Sequence, residues 1–227
     1  MTMIADNLHQ VRARIATACN TCGRAPDAVT LLAVSKTFGA DAVREAFAAG
    51  QTAFGENYIQ EAVDKMAVLS DLPLQWHCIG PIQSNKTRLV AEHFDWAHTV
   101  DRLKIAQRLS EQRPAGKAPL NVCIQVNIDG GSTKAGVAPN EALALAQAVA
   151  ALPNLRLRGI MTIPEPAPDF VAACAVHTRA KALFDALNVA GMGLDTLSMG
   201  MTSDLEAAVV SGSTMVRVGT AIFGVRS

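Results

Sequence analysis

The chain alternates between short apolar runs and longer amphipathic stretches. The runs are rich in Val, Ile and Leu, whereas the stretches repeat apolar residues every three or four positions. Short apolar runs of this kind predict β-strands, and the three-to-four spacing predicts helices. We expect eight strands, at residues 30–35, 52–54, 75–79, 95–100, 120–127, 155–163, 195–199 and 215–218.

Helical stretches fall before the first strand and between later ones. We expect helices at residues 4–22, 41–49, 59–69, 102–112, 140–152 and 169–188. Asp41 and Asn140 are the expected N-caps, because short polar side chains there accept hydrogen bonds from free backbone N–H groups. Gly50 stands where a glycine commonly follows the last residue of a helix.

The alternation of strand and helix indicates parallel strands joined by crossover helices. Eight such units in a chain of 227 residues take about 28 residues each, close to the usual size of a closed (β/α)8 barrel. A doubly wound sheet usually has fewer strands, and the glycine fingerprint expected after its first strand is missing. The pattern therefore predicts an α/β protein with one domain over residues 1–227, a (β/α)8 TIM barrel with an extra N-terminal helix.

Composition narrows the class of function. Twenty Lys+Arg balance twenty Asp+Glu, which argues against binding to nucleic acid or to a membrane surface. The N-terminus lacks a basic segment followed by an apolar one, and apolar stretches are too short to span a bilayer. The five cysteines, an odd number, fit free thiols in a reducing compartment. We therefore expect a cytoplasmic protein.

Lys36 directly follows the apolar run of the first predicted strand. In a (β/α)8 barrel the functional site lies at the carboxyl ends of the strands. A lysine presented by a buried strand is partly desolvated, which favours the neutral amine that attacks carbonyl groups. Lys36 is therefore a candidate Schiff-base lysine, and the alternative is a strand-end lysine whose amine extends into solvent.

Small and hydroxylic residues follow the last two predicted strands, as SMGMTS (198–203) and RVGT (217–220). The loops after strands seven and eight of such barrels commonly bind phosphate, because small residues let backbone N–H groups reach the anion. Ordinary tight turns favour the same residue types. A lysine facing a phosphate loop suggests one ligand with both an aldehyde and a phosphate, and pyridoxal 5′-phosphate (PLP) has both.

Seven segments, in order between residues 30 and 224, resemble the pyridoxal phosphate homeostasis family (YggS/PROSC). They are AVSKT (33–37), FGENYIQE (54–61), WHCIGPIQSNK (76–86), VNI (126–128), GIMT (159–162), LSMGM (197–201) and VRVGTAIFG (216–224). The resemblance implies a barrel similar to the N-terminal domain of alanine racemase and a role in intracellular PLP (vitamin B6) homeostasis. Two segments depart from the family's usual residues, Thr202-Ser203 and residues 129–134, and this leaves individual phosphate contacts open.

The resemblance also implies roles for individual residues. Lys36 would hold PLP as a Schiff base, and Arg217 would face the pyridine nitrogen. Asn57 and Met161 would border the ring. The phosphate would lie against Ser198, Gly219 and Thr220, with the backbone of residues 200–203, which include Gly200, Met201 and Thr202.

An arginine at the pyridine nitrogen has a chemical consequence. A guanidinium group cannot accept a proton, so it leaves that nitrogen unprotonated and the ring a weaker electron sink. Racemisation would also need a second base, which alanine racemases take from a tyrosine in a C-terminal β-domain. The one tyrosine here is Tyr58. We expect a PLP carrier, a monomer with dimerisation left open, that supplies PLP-dependent apo-enzymes and neither catalyses turnover nor binds a metal.

Two other functions stay open at this point. A racemase of low activity could use Tyr58 or His77 as its second base. A Schiff-base aldolase could use the same barrel with a sugar phosphate in the phosphate loop. Visible absorption by bound PLP would distinguish the aldolase from the carrier and the racemase, because an aldolase lysine without PLP is colourless.

Two further motifs have ordinary structural explanations. Cys19 and Cys22 have C-x-x-C spacing without a second pair, so we expect them to close the first helix as reduced thiols. His77 and His98 end neighbouring predicted strands without a cysteine or carboxylate at ligand spacing. We expect these histidines in a layer of the barrel or at its rim, with a position near the cofactor left open for His77.

Overall fold

A closed barrel of eight parallel strands forms the centre of the computed structural model, which describes residues 2–131 and 134–224. The strands are β1 (Thr30–Val34), β2 (Ala53–Glu56), β3 (Gln75–Cys78), β4 (Trp96–Val100), β5 (Leu120–Gln125), β6 (Leu155–Met161), β7 (Thr196–Ser198) and β8 (Met215–Val218). β1 and β8 pair from Thr30 opposite Met215 to Ala33 opposite Val218, which closes the sheet. The predicted (β/α)8 barrel is confirmed.

Helices surround the strands. They are α1 (Met3–Thr21), α2 (Ala40–Ala48), α3 (Ile59–Val68), α4 (Thr87–His93), α5 (Leu103–Gln112), α6 (Ala142–Ala150), α7 (Phe170–Val189), α8 (Leu205–Val210) and α9 (Thr220–Phe223). Within the described ranges, none of them has both the length and the apolar character needed to cross a bilayer.

The extra N-terminal helix is present and packs by the face that its sequence predicts. Ile4, Leu8, Val11 and Ile15 are buried along one side of α1. This side contacts α2, α8 and α9, which follow the first strand and the last two. The helix therefore covers the part of the barrel where the first strand pairs with the last.

Both predicted N-caps are wrong, for local reasons. α2 is capped by Gly39, and Asp41 lies inside the first turn, where a carboxylate favours the positive end of the helix dipole. Asn140 lies within a 3-10 turn, Pro139–Glu141, because the fixed backbone angle of the proline starts the turn one residue earlier. Gly50 follows the last residues of α2 with a φ of 81°, as predicted.

Side chains alternate between the two faces of the barrel wall. In β8, Val216 and Val218 belong to the large core between strands and helices. Met215 packs in a small interior cluster, and Arg217 reaches other interior side chains. This period of two places every second residue of a strand inside the barrel.

Several strands end earlier than predicted. β1 ends at Val34 and β6 at Met161, one and two residues before the predicted ends, and the polar residues Ser35 and Thr162 follow directly. Ile163 therefore lies in a loop at the carboxyl edge. Three short helices were not predicted, α4, α8 and α9, each of seven residues or fewer.

Candidate functional site

A cavity of about 630 Å³ opens at the carboxyl ends of the strands. This is the end at which barrels of this type carry their functional sites, and the volume suits a small molecule. It is lined by Val34, Lys36, Phe38, Asn57, Ile79, Ile163, Met201, Thr202, Ser203, Arg217, Gly219, Thr220 and Gly224. The cavity therefore combines an apolar wall with one amine, one amide, one guanidinium and three hydroxyl groups.

Two polar residues of the cavity follow the first two strands. Lys36 is half-buried two residues beyond the end of β1. Asn57 directly follows β2, and its Oδ1 is buried without a hydrogen-bond partner in the described structure. Gly80 packs on the backbone of Asn57 so closely that a Cβ there would lie 2.1 Å from the Asn57 carbonyl oxygen. The glycine thus lets the loop after β3 hold Asn57 in place.

Arg217 enters the cavity from β8 and is anchored on its far side. Nη1 donates to Ser198 Oγ at 2.7 Å, and Nη2 donates to the Thr162 carbonyl oxygen at 2.8 Å. Burial lowers the pKa of Arg217 to about 10. The group is still protonated at neutral pH, so it acts as a fixed hydrogen-bond donor.

A polar chain continues from Arg217 through the barrel interior. Ser198 Oγ lies 3.1 Å from His98 Nδ1, His98 Nε2 lies 2.9 Å from His77 Nδ1, and His77 Nε2 lies 3.0 Å from Gln75 Oε1. Burial lowers the pKa of His77 to about 3. Burial, followed by His77 and Arg217, holds the pKa of His98 well below its usual range.

The direction of this chain follows from its two ends. Arg217 can only donate, so Ser198 accepts from it and donates its O–H to His98 Nδ1. Gln75 Oε1 accepts at the other end. Both neutral rings therefore carry their proton on Nε2. The interpretation of His77 and His98 as histidines of a barrel layer is confirmed, and neither lines the cavity.

A tight turn after β7 forms one side of the cavity. Asp204 Oδ1 accepts from the Met201 N–H at 2.7 Å, and its Oδ2 lies 2.9 Å from His177 Nε2. Burial opposes ionisation, but these hydrogen bonds outweigh it and lower the pKa of Asp204. Gly200 has a φ of 94° and packs on Ala208. The turn presents Thr202 and Ser203 to the cavity.

The sequence matches the family described as "Alanine racemase, N-terminal domain" over residues 7–227. The chain belongs to this family. Two curated relatives carry the name pyridoxal phosphate homeostasis protein. The one from Pseudomonas aeruginosa is 62% identical over 226 residues, covering 100% of this chain and 97% of the relative. The one from Escherichia coli K12 is 55% identical over 229 residues, covering 100% and 98%. The family resemblance drawn from the seven segments is confirmed.

Solved structures of the family share the architecture. PipY of Synechococcus elongatus, described with PLP bound, is 39% identical, has a TM-score of 0.85, and is matched over 97% of this chain and 100% of its own. An alanine racemase of Clostridium difficile is 17% identical with a TM-score of 0.72, over 97% of this chain and 57% of its own. The similarity to the alanine racemase concerns the fold alone.

Most of the predicted site residues of this family member meet at the cavity. Met161, Ser198 and Gly200 are not among the lining residues. Met161 is fully buried beside Trp96 and Cys123, and the hydroxyl of Ser198 is engaged with Arg217 and His98. Contacts of these three with a ligand stay predictions. The predicted residues that do line the cavity are Lys36, Asn57, Met201, Thr202, Arg217, Gly219 and Thr220.

Sequence reasoning missed some of the apolar wall. Ile79 and Ile163 were predicted as the last residues of their strands, a position at the carboxyl edge that could have identified them. Phe38 stacks on Phe223 with ring centroids 5.2 Å apart, a contact that no local pattern predicts.

Other sequence motifs lie away from the cavity or only partly within the described chain. Cys19 and Cys22 are free thiols at the end of α1, as predicted. In the unusual loop 129–134, Lys134 Nζ lies 3.0 Å from Glu165 Oε1. Residues 132 and 133 of that loop lie outside the described residues.

Proposed function

We propose that this protein binds PLP at Lys36 and takes part in PLP homeostasis. The observation that carries the proposal is the set of groups in one cavity: Lys36, the buried donor Arg217, and hydroxyl groups from the turn after β7 and from the start of α9. The names of the curated relatives and the bound PLP of PipY support the same ligand.

The residues present fit the chemical groups of PLP. Lys36 would meet the aldehyde, and Arg217 would donate to the pyridine nitrogen. Thr202, Ser203 and Thr220 would donate to the phosphate. The unpartnered Oδ1 of Asn57 calls for a polar ligand edge, because a buried acceptor without a partner is costly.

When bound, PLP would supply an aldehyde, and Lys36 Nζ would be the amine that condenses with it, with the aldehyde oxygen and the two amine hydrogens lost as water. The protein's part is to hold the ring. Arg217 stays protonated, so it would donate a hydrogen bond to the pyridine nitrogen and leave that nitrogen unprotonated. The bound ring would then be a weak electron sink.

A carrier fits this site better than a racemase. Lys36 and Arg217 are the titratable groups among the described residues that line the cavity. Tyr58 is 51% exposed and His77 is fully buried, and neither lines the cavity. A racemase needs two bases on opposite faces of the substrate, and this lining supplies one.

The wider role also belongs to the proposal. We infer a cytoplasmic carrier that releases PLP to PLP-dependent apo-enzymes, which agrees with the five free thiols.

The test combines a spectrum with covalent trapping. Purified protein is incubated with PLP, its visible absorption is recorded, and borohydride is added before mass spectrometry. We expect the mass of reduced PLP on Lys36 in the wild type and in an exposed-lysine control, Lys104→Ala, but not in Lys36→Ala. Absence of binding by the wild type would overturn the proposal, and phosphorylated sugars would then be tested for the aldolase alternative. Turnover of alanine enantiomers by the same sample would favour the racemase.

A further inference from the structure

A buried lysine lies next to the segment that carries Lys36. Lys65, on α3, has a side chain only 5% exposed. Its Nζ donates to Glu56 Oε1 at 2.7 Å, to Glu61 Oε1 at 3.3 Å, and to the carbonyl oxygen of Ser35 at 3.0 Å. Glu56, at the end of β2, is fully buried, whereas Glu61 is 38% exposed.

The two carboxylates bind the residues on either side of Lys36. Glu56 Oε1 accepts from Ser35 Oγ at 2.6 Å, and Glu61 Oε1 accepts from the Thr37 N–H at 2.8 Å. The ammonium, the two carboxylates and the backbone around Lys36 thus form one hydrogen-bonded unit. The Lys65 cluster consists of Lys65, Glu56 and Glu61.

The backbone held by this cluster is strained. Thr37 has a φ of 68° and, among the described residues other than glycine, is the one with a positive φ. A β-branched residue adopts this conformation only where surrounding contacts enforce it. Glu61 supplies one such contact through the Thr37 N–H, directly after Lys36.

We propose that the Lys65 cluster positions Lys36 for covalent capture of PLP, by fixing the backbone on both sides of the lysine. The proposal rests on the proposed function and adds three positioning residues to it. Buried ion pairs add little net stability in general, because desolvation offsets the attraction between the charges. A cluster of this kind is better explained by the one conformation that it enforces.

The cluster is also incompletely satisfied, which agrees with a positioning role. Glu56 Oε2 is buried without a partner in the described structure. Burial raises the pKa of Glu56, and Lys65 and Ser35 oppose this shift. The arrangement thus retains an unfavourable buried carboxylate at the point where it binds Ser35 and Lys65.

The test separates capture of the aldehyde from binding of the rest of the ligand. Glu61→Met keeps the length of the side chain and removes its acceptor, Glu61→Gln keeps an acceptor, and Asp64→Ala removes an exposed carboxylate of the same helix. The rate of covalent attachment is measured with PLP by stopped-flow absorbance and borohydride trapping. Affinity is measured with 4′-deoxypyridoxine 5′-phosphate, which has no aldehyde.

We expect Glu61→Met to slow attachment about tenfold, since a misplaced reacting group loses orientation, with affinity for the analogue changed less than about twofold. Glu61→Gln and Asp64→Ala should attach PLP at close to the wild-type rate. Thermal melting of each variant verifies folding, and Glu61→Ala is the second variant if the methionine is not accommodated.

Attachment by Glu61→Met at the wild-type rate would overturn the inference. An equal loss of attachment rate and analogue affinity would overturn it as well, because the cluster would then shape the whole cavity. Failure of the proposed function gives a different result: the wild type itself would bind neither PLP nor the analogue.

Discussion

Arg217 donates a 2.7 Å hydrogen bond to Ser198 inside the barrel, and this bond links the cavity to the polar chain in the interior. Because Ser198 accepts from Arg217, its own O–H is available for His98. One hydroxyl therefore satisfies a guanidinium N–H and a histidine nitrogen, and all three groups are buried. Ser198 is therefore a structural partner of Arg217 as well as a candidate contact for the ligand.

Removal of this hydroxyl should destabilise the protein. Ser198→Ala leaves one Arg217 N–H and one His98 nitrogen buried without partners, so we expect the free energy of unfolding to fall by about 1–3 kcal/mol. Urea denaturation measures the change. Ser70→Ala, at an exposed position, is the control and should be nearly neutral. Equal stability of the two variants would contradict the assigned hydrogen bonds.

Stability should also fall in mild acid. The pKa of His77 is lowered by burial from 6.5 to about 3, and that of His98 is lowered in the same direction. Below pH 6.5 the unfolded chain therefore binds protons that the folded rings do not, and each ring costs the folded state about 1.4 kcal/mol per pH unit until its folded pKa is reached.

The measurement for this prediction is the free energy of unfolding at pH 7.5 and at pH 5.5. We expect a decrease of about 2–3 kcal/mol from the two histidines together. Histidine ¹⁵N chemical shifts at both pH values should show neutral rings protonated on Nε2. An imidazolium signal from either ring at pH 5.5 would be inconsistent with the polar chain.

The barrel itself could be predicted from the sequence because its signals are local. Apolar runs and helical spacing repeat along the chain, and Lys36 is recognisable as the residue after the first run. The N-cap predictions were wrong because Gly39 and Pro139 start their helical turns before Asp41 and Asn140, the residues expected to cap them, are reached.

The interior contacts could not be predicted, because they depend on the stagger of the strands. His98 meets Ser198 across 100 positions of sequence, and Lys65 reaches back 30 positions to Ser35. Nothing in the pattern around either residue indicates its partner. Residues at the carboxyl edge were predictable from their place in a strand, whereas the contacts that hold them were not.

Asn57 allows stability and binding to be separated. Asn57→Leu replaces an amide whose Oδ1 is buried without a partner, so the ligand-free protein should keep its free energy of unfolding or gain about 1 kcal/mol. The same change removes the polar contact proposed for PLP, and affinity should fall about tenfold. Urea denaturation without PLP and equilibrium titration with PLP measure the two effects, with the exposed Asn140→Leu as control. A large loss of stability without PLP would show that Asn57 serves the fold, and an unchanged affinity would contradict the proposed contact with PLP.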